Sequence, residues 1–400
     1  MSKRFTINGS EALEWHLAEL CELVARGVRA SVGESKIRGL VLGGGYGRGE
    51  GGVLKTPTGD RPYNDLEFYV FMRGGRLWNE RHHNEELKKL GERLSPDAAL
   101  HVEFKIDSLA RLRRSSVSMF SYDLMAGHRI VIGDEKLFAG CEHHLEAEKI
   151  PAAEATRLLF NRFTGLLLSR ELLAQSKLRM DEADFVGRNL AKAQMALGDA
   201  VLAVHGQYHW SCSERHARLE ALGRAGKACA AQAIGPEQGS APACGLPPRF
   251  EEIIQHHAAG VKFKLHPKRI LKALDEFKAD HDAICSMGCE LWLWIENRRL
   301  NRSFASVADY ALSLNAKCPE TAGWRNYLLN VKTFGPRAGL KGLAWRYPRE
   351  RLMNSLPILL WQEQPLRQPE LANLQKQLET DAADWNSLVG AYKQAWPAYG

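Results

Sequence analysis

The hydrophobic period of this chain differs on the two sides of Pro151, mixed before it and helical after it, and the difference limits each part to a different kind of structure. Before it, Leu13, Leu17, Leu20, Val24 and Val28 recur at spacings of three and four, which predicts an amphipathic helix over 11–30. Alternation then takes over. Gly39-Leu-Val-Leu, Asp65-Leu-Glu-Phe-Tyr-Val-Phe, His101-Val-Glu-Phe-Lys-Ile-Asp and Arg129-Ile-Val-Ile each read as a strand, with a helical stretch over about 79–94 between the second and third. After Pro151 the helical period holds over about 152–178, 182–206, 266–300, 303–315 and 368–395, with no convincing strand among them. The expected fold class is α+β: a small mixed β-sheet domain with flanking helices over residues 1–148, then an all-α helical domain over 149–400. Residues 223–248, rich in Gly, Ala and Pro and without large apolar side chains, are expected to form a mobile loop in the second domain.

With 45% hydrophobic residues the chain has material for a sizeable core, which excludes a disordered or fibrous protein. Its eight cysteines form no CxxC pair and are too dilute for a disulfide scaffold, so a reducing compartment is expected. The opening MSKRFTINGSEALEW lacks the apolar stretch of a secretory leader. Arg and Glu cut the longest apolar runs well short of the roughly 20 residues that a membrane span needs. A soluble, cytoplasmic protein with no membrane partner follows. Acidic and basic residues balance over the first 150 positions, so the whole net charge of +7 lies beyond them. Such an excess suits an anionic ligand or simply solubility. Segment 332–351 mixes basic residues with Phe334, Trp345 and Tyr347, a combination that suits an anionic or nucleic-acid acceptor or a solvated basic surface. Most of the eight tryptophans in the helical part are expected in its core, and the His82-His83, His143-His144 and His256-His257 doublets at the surface. His205 and His209 are spaced as a zinc pair on a predicted helix but lack a third ligand.

The chemistry concentrates in Leu42-Gly-Gly-Gly-Tyr-Gly-Arg-Gly-Glu50 and the later Asn64-Asp-Leu-Glu-Phe-Tyr-Val70. A P-loop would need Gly-Lys-Ser/Thr, a dinucleotide fingerprint would need to open a helix, and a kinase loop would need HRD and DFG downstream; none is satisfied. In Asp65-Leu-Glu67 two carboxylates stand two apart on a strand and project from one face, while Leu66 and Phe68 turn to the buried one. Two anions that close repel each other, so the arrangement calls for a cation, and oxygen-only ligands favour magnesium. A glycine turn just upstream lets backbone N–H groups approach phosphates with no Cβ in the way.

At these residues the sequence resembles the DNA polymerase β-like nucleotidyltransferase superfamily. Gly44-Gly45-Tyr46-Gly47-Arg48-Gly49-Glu50 is similar to the Gly-Ser-Tyr-Ala-Arg-Gly-Glu form of the minimal and antibiotic-modifying nucleotidyltransferases, and the likeness covers about residues 35–140. It implies a catalytic domain over 1–148 and an acceptor-binding helical domain over 149–400. It implies metal carboxylates at Asp65 and Glu67, with a third at Glu103 or, less favoured, Asp107. Gly44, Gly45 and Arg48 would bind the nucleotide. Gly45 stands where Ser is usual, Glu67 and Glu103 where Asp is common, and an inserted turn, Leu54 to Arg61, is placed to fold over the nucleotide. The implied activity is magnesium-dependent transfer of a nucleoside monophosphate, AMP from ATP in the favoured case, to an acceptor hydroxyl with release of pyrophosphate at a two-metal site. The acceptor is a small molecule, a protein or an RNA. The alternative is a non-catalytic nucleotide-binding regulatory protein on a degenerate form of the same fold.

Overall fold

The computed structural model describes residues 4–232, 245–270, 272–336 and 342–399. These fall into two compact units. Residues up to Pro151 with Leu202–Leu222 and Ala258–Arg269 form the first, and Ala152–Val201, Gly223–His257 and Ile270–Gly400 form the second.

The first unit is built on a mixed four-stranded sheet. Helix α1 (Glu11–Val32) is capped by Ser10, whose side chain accepts from Leu13 N, and it buries the predicted stripe Leu13, Leu17, Leu20, Val24 and Val28. Then follow β1 (Ile37–Leu42), the single helical turn α2 (Gly44–Arg48), the strands β2 (Val53–Thr56) and β3 (Gly59–Pro62), and β4 (Leu66–Met72). Helix α3 (Arg76–Ala98) leads to β5 (Val102–Asp107), and α4 (Leu109–Leu112), α5 (Met119–Ala126) and β6 (Arg129–Ile132) complete the series. The sheet order is β5-β4-β1-β6. β1 runs antiparallel to β4 and β6, whereas β4 and β5 are parallel. A parallel pair needs a long crossover, and α3 supplies it.

Both faces of the sheet are covered. Leu40, Leu42, Leu66, Phe68, Val70, Phe104 and Ile106 pack with α1 and α3 on one face, and Val41, Tyr69, Phe71, Leu112, Leu124 and Phe138 make a second core on the other. On the second face Glu67, Glu103 and Lys105 stay outside that core and keep part of their side chains exposed. The expected turn over 54–61 is instead the β2–β3 hairpin. It folds back on the start of α1, where Asp60 accepts from Ser10 N at 2.7 Å and from Lys55 Nζ at 2.7 Å, and Lys55 also donates to Asn8 O.

The remaining helices are α6 (Ala153–Leu173), α7 (Met180–Val204), α8 (Cys212–Gln232), α9 (Phe250–Leu265), α10 (Leu274–Leu300), α11 (Val307–Leu312), α12 (Gly323–Phe334), α13 (Glu350–Trp361), α14 (Gln368–Leu378) and α15 (Trp385–Tyr399). In the second unit α6 packs on α10 and α13, and α13 also meets α11, α14 and α15. Several of its buried polar groups are paired: Thr156 donates to Glu296 at 2.6 Å, Arg299 clasps the same carboxylate, and Tyr392 and Thr164 share a hydrogen bond of 2.7 Å.

Several expectations change. Residues 223–232 are helical, because alanine favours helix even in a Gly-rich stretch, and the rest of the expected loop up to 244 lies outside the described residues. The 266–300 helix begins only at Leu274, after Pro267, and the 368–395 helix breaks at Glu379, which takes φ 54°. Trp292 is fully buried, but Trp324 and Trp345 are 63% and 60% exposed. One histidine of each doublet, His83, His144 and His257, is buried, since neighbours on a helix or turn point in different directions. His205 and His209 do not share a helix, because α7 ends at Val204. No helix among the described residues is long and apolar enough to cross a membrane.

Candidate active site

The register of the parallel pair sets Glu67 of β4 directly opposite Glu103 of β5. Side chains paired in this way share one face of the sheet with Cβ atoms about 5 Å apart. The carboxylates are 36% and 43% exposed, and a cation is already between them: Lys105 Nζ lies 3.2 Å from Glu103 Oε2 and 3.9 Å from Glu67 Oε2. Tyr69, two residues beyond Glu67 on the same face, donates its hydroxyl to Glu67 Oε2 at 2.8 Å. Burial first, and then the charges of Glu67 and Glu103, push the Tyr69 hydroxyl far above its ordinary pKa, so it stays a donor. Asp65 precedes β4 and is exposed. Among the described residues no three His, Cys, Asp or Glu side chains converge as a ready-made metal cage.

Asp107 lies on the same strand but is committed elsewhere. It is buried, its carboxylate accepts from Ser108 N at 2.7 Å and from Arg111 Nε at 2.8 Å, and it forms an ion pair with Arg111. Strand alternation alone left it level with Glu103; the turn into α4 separates the two.

The glycine run forms α2, seated beside this pair. Gly43 N donates to the Glu67 carbonyl at 2.9 Å, and Gly44 adopts φ 59°, a left-handed conformation that favours glycine. A Cβ on Gly44 would sit 3.5 Å from the Glu67 carboxyl carbon, so the turn and the carboxylate are in contact distance. The amides of Gly44, Gly45 and Tyr46 open the turn and have no carbonyl one turn back inside it. Gly47 is obligatory for packing, because a Cβ there would fall 2.1 Å from the Leu42 carbonyl. Tyr46 braces the loop that follows: its hydroxyl donates to Gly52 O at 2.8 Å and accepts from Tyr63 N at 2.9 Å.

Arg48 is buried and is not a surface cation. It pairs with Asp123 at 3.3 Å and lies against Gly127, which has no side chain to obstruct it. Asp123 also accepts from Tyr208, which in turn accepts from Arg215. Arg48 thus braces the turn from below. Glu50 is held by Ser211 Oγ at 2.6 Å and Cys212 N at 3.0 Å; burial opposes its charge, but these bonds and Arg48 outweigh it and keep the carboxyl below its ordinary pKa.

Lys264, near the end of α9, is the residue that sequence reasoning missed. A Cβ on Gly45 would lie 3.5 Å from its Nζ, and its carbonyl approaches Gly52. Burial, then the charge of Arg48, depresses the ammonium from 10.5 to about 8. No local pattern announces it, because it stands more than 200 positions from the glycines that it meets.

The basic segment 332–351 is partly spent on its own fold. Arg351 pairs with Glu379 at 2.6 Å, and Arg346 donates to Asn315 O at 2.9 Å and to Leu314 O, while Arg337 and Lys341 lie outside the described residues. A scan against protein-family models finds no match for the chain, and a search of curated proteins finds none either.

Proposed function

We propose that the chain is a nucleotidyltransferase that moves a nucleoside monophosphate, AMP from ATP in the favoured case, to an acceptor hydroxyl and releases pyrophosphate. The observation that carries this reading is the juxtaposition of Glu67 and Glu103 across the β4–β5 pair with the glycine turn seated on Glu67. The order of helix, strand, glycine turn, Asp-Leu-Glu strand, crossover helix and parallel Glu strand also supports the superfamily resemblance.

The donor set fits a magnesium ion. Glu67 and Glu103 offer oxygen alone, they face each other, and they already gather the ammonium of Lys105. Glu67 and Glu103, with Asp65 from the strand's approach, would hold the ion, which when bound neutralises triphosphate charge and acidifies an acceptor hydroxyl. The chain's own groups do the rest. Gly44 and Gly45 present amides to the β- and γ-phosphates, and Lys264 adds a cation from the other side of the turn. Arg48 keeps the turn in place through Asp123. Glu103, the outer member of the pair, accepts the acceptor's proton as its oxygen attacks the α-phosphorus.

A second reading has its own support. Lys105 bridges the two glutamates and no three-ligand cage is preformed among the described residues, which suits a nucleotide-binding regulator that has lost turnover. Titration calorimetry with ATP and magnesium, followed by a pyrophosphate-release assay over an acceptor panel, separates them. A transferase releases pyrophosphate with some acceptor, whereas a regulator binds ATP and releases none.

A further inference from the structure

Helix α12, in the second unit, packs with its polar side inward. Asn326 and Asn330, four apart and so on one line along the helix, are 4% and 1% exposed. Their side chains hold α12 to the segment that follows it. Asn326 Nδ2 donates to Thr321 Oγ1 at 2.9 Å and to Trp345 O at 3.3 Å, and Asn330 Nδ2 donates to Ala344 O at 3.0 Å and to Arg346 O at 2.8 Å. Trp324 and Leu328, also four apart, stand about 200° round the helix from that line and are 63% and 57% exposed. An amphipathic helix of a folded domain ordinarily does the reverse.

The exposed face has an aromatic side and a cationic side. Tyr327 meets Trp345 with ring centroids 5.1 Å apart, and a Cβ on Gly323 would lie 3.6 Å from the Trp345 ring, so this exposed indole widens the apolar face. On the opposite side Arg325 and Lys332 stand three residues before Leu328 and four after it, which sets both beside it. Both are exposed, and among the described residues neither has an acidic partner. Glu320, the nearest acid before the helix, pairs with Arg299 at 3.7 Å. From Gly323 to Arg349 the sequence carries Arg325, Lys332, Arg337, Lys341, Arg346 and Arg349 and no Asp or Glu, so this stretch supplies six of the net seven positive charges of the chain.

An occupant of this face must bury indole and leucine together and also bring anions. Nucleic acid offers phosphates and flat bases, which suit Trp345 and Tyr327 but leave Leu328 and the exposed Leu329 without apolar partners. The boundary of an anionic bilayer meets every group: acyl chains take leucine, the headgroup level takes tryptophan rings, and acidic headgroups take Arg and Lys. We propose that α12 lies in the surface of an anionic membrane, with Trp324, Leu328 and Trp345 at the headgroup–acyl boundary and Arg325 and Lys332 on acidic headgroups. The expected absence of a membrane partner rested on spanning length, which a helix lying in the interface does not need. The docking does not rest on the nucleotidyltransferase reading.

The test sediments the full chain with vesicles of phosphatidylcholine alone and of phosphatidylcholine with about one-third phosphatidylserine, at low and at physiological salt. The chain should bind the anionic vesicles about tenfold or more tightly than the neutral ones, and less tightly as salt rises. Each cation near an anionic surface is worth about fivefold, so Arg325→Gln with Lys332→Gln should lose roughly tenfold or more. Trp324→Ser with Leu328→Ser should lose about tenfold or more at an unchanged thermal midpoint, since exposed side chains carry little of the fold. Leu77→Ser with Trp78→Ser, an exposed apolar pair on α3, should bind as wild type. Absence of sedimentation with anionic vesicles at low salt overturns the proposal, as does wild-type binding by the Trp324/Leu328 variant or an equal loss in the Leu77/Trp78 variant. Binding of oligouridylate that requires Trp324, with vesicles left unbound, would mark a nucleic-acid surface and overturn it too.

Discussion

Replacing Lys264 by methionine should stabilise the protein and weaken its hold on nucleotide, and both effects should depend on pH. The ammonium sits among Arg48, Arg215 and buried surface, which lowers it from 10.5 to about 8. At about 1.36 kcal/mol per pH unit that displacement costs the folded state roughly 3 kcal/mol. The side chain is only half-buried, and solvent screening brings the figure to about 1–2 kcal/mol. The unfolded chain binds more protons than the folded one between about pH 8 and 10.5, so the penalty is full below pH 8 and is relieved as pH rises through that window. Urea unfolding at pH 7 should show the methionine variant more stable by about 1–2 kcal/mol, with the gap closing toward pH 10.5. Titration with ATP should show the opposite order, a loss of about ten- to a hundredfold at pH 7, the worth of one charged hydrogen bond. Wild-type affinity should also fall above about pH 8, and the variant's should stay flat. A variant less stable at pH 7 would refute the buried, charge-crowded setting of Lys264, and one that binds ATP as tightly as wild type would refute its proposed contact with phosphate.

Glu103→Gln should abolish transfer with little change in urea midpoint, whereas Asp107→Asn should keep transfer and lose about 1–3 kcal/mol, because it removes the buried charge paired with Arg111. Glu50→Gln should flatten the acid limb of the stability curve: the wild-type carboxylate contributes in full above the ordinary carboxyl pKa and its contribution is lost as pH falls below that value through the lowered pKa of the folded state, which acid titration of unfolding would follow. Gly47→Ala should disorder the turn, since its Cβ would meet the Leu42 carbonyl at 2.1 Å, and ATP binding should vanish with a thermal midpoint lowered by several degrees.

The local parts of the site were legible. A stripe of leucines and valines located α1, alternation located β1, β4, β5 and β6, and the Asp-Leu-Glu spacing put Glu67 on a strand face. What escaped notice depends on partners distant in sequence. The register that pairs Glu67 with Glu103 is set by how α3 crosses the sheet, and neither strand encodes it alone. Alternation described β4 as half-buried, yet Tyr69 and Phe71 are as buried as Phe68, because α5 and the segment around Phe138 cover the second face. The Thr-Pro-Thr-Gly-Asp stretch read as a loop because Pro57, Gly59 and Asp60 are poor strand formers; the pairing of β2 with β3 and the grip of Asp60 on Ser10 override that propensity. α13 escaped because Pro357 lies inside it.

The most direct test of the central claim is magnesium-dependent pyrophosphate release from ATP by the wild-type chain and by Asp65→Asn, Glu67→Gln and Glu103→Gln, each checked for folding by circular dichroism. Wild type should release pyrophosphate with a hydroxyl-bearing acceptor, and each folded variant should lose on the order of a thousandfold in rate. Release unchanged in the folded Glu67→Gln and Glu103→Gln variants would contradict that claim.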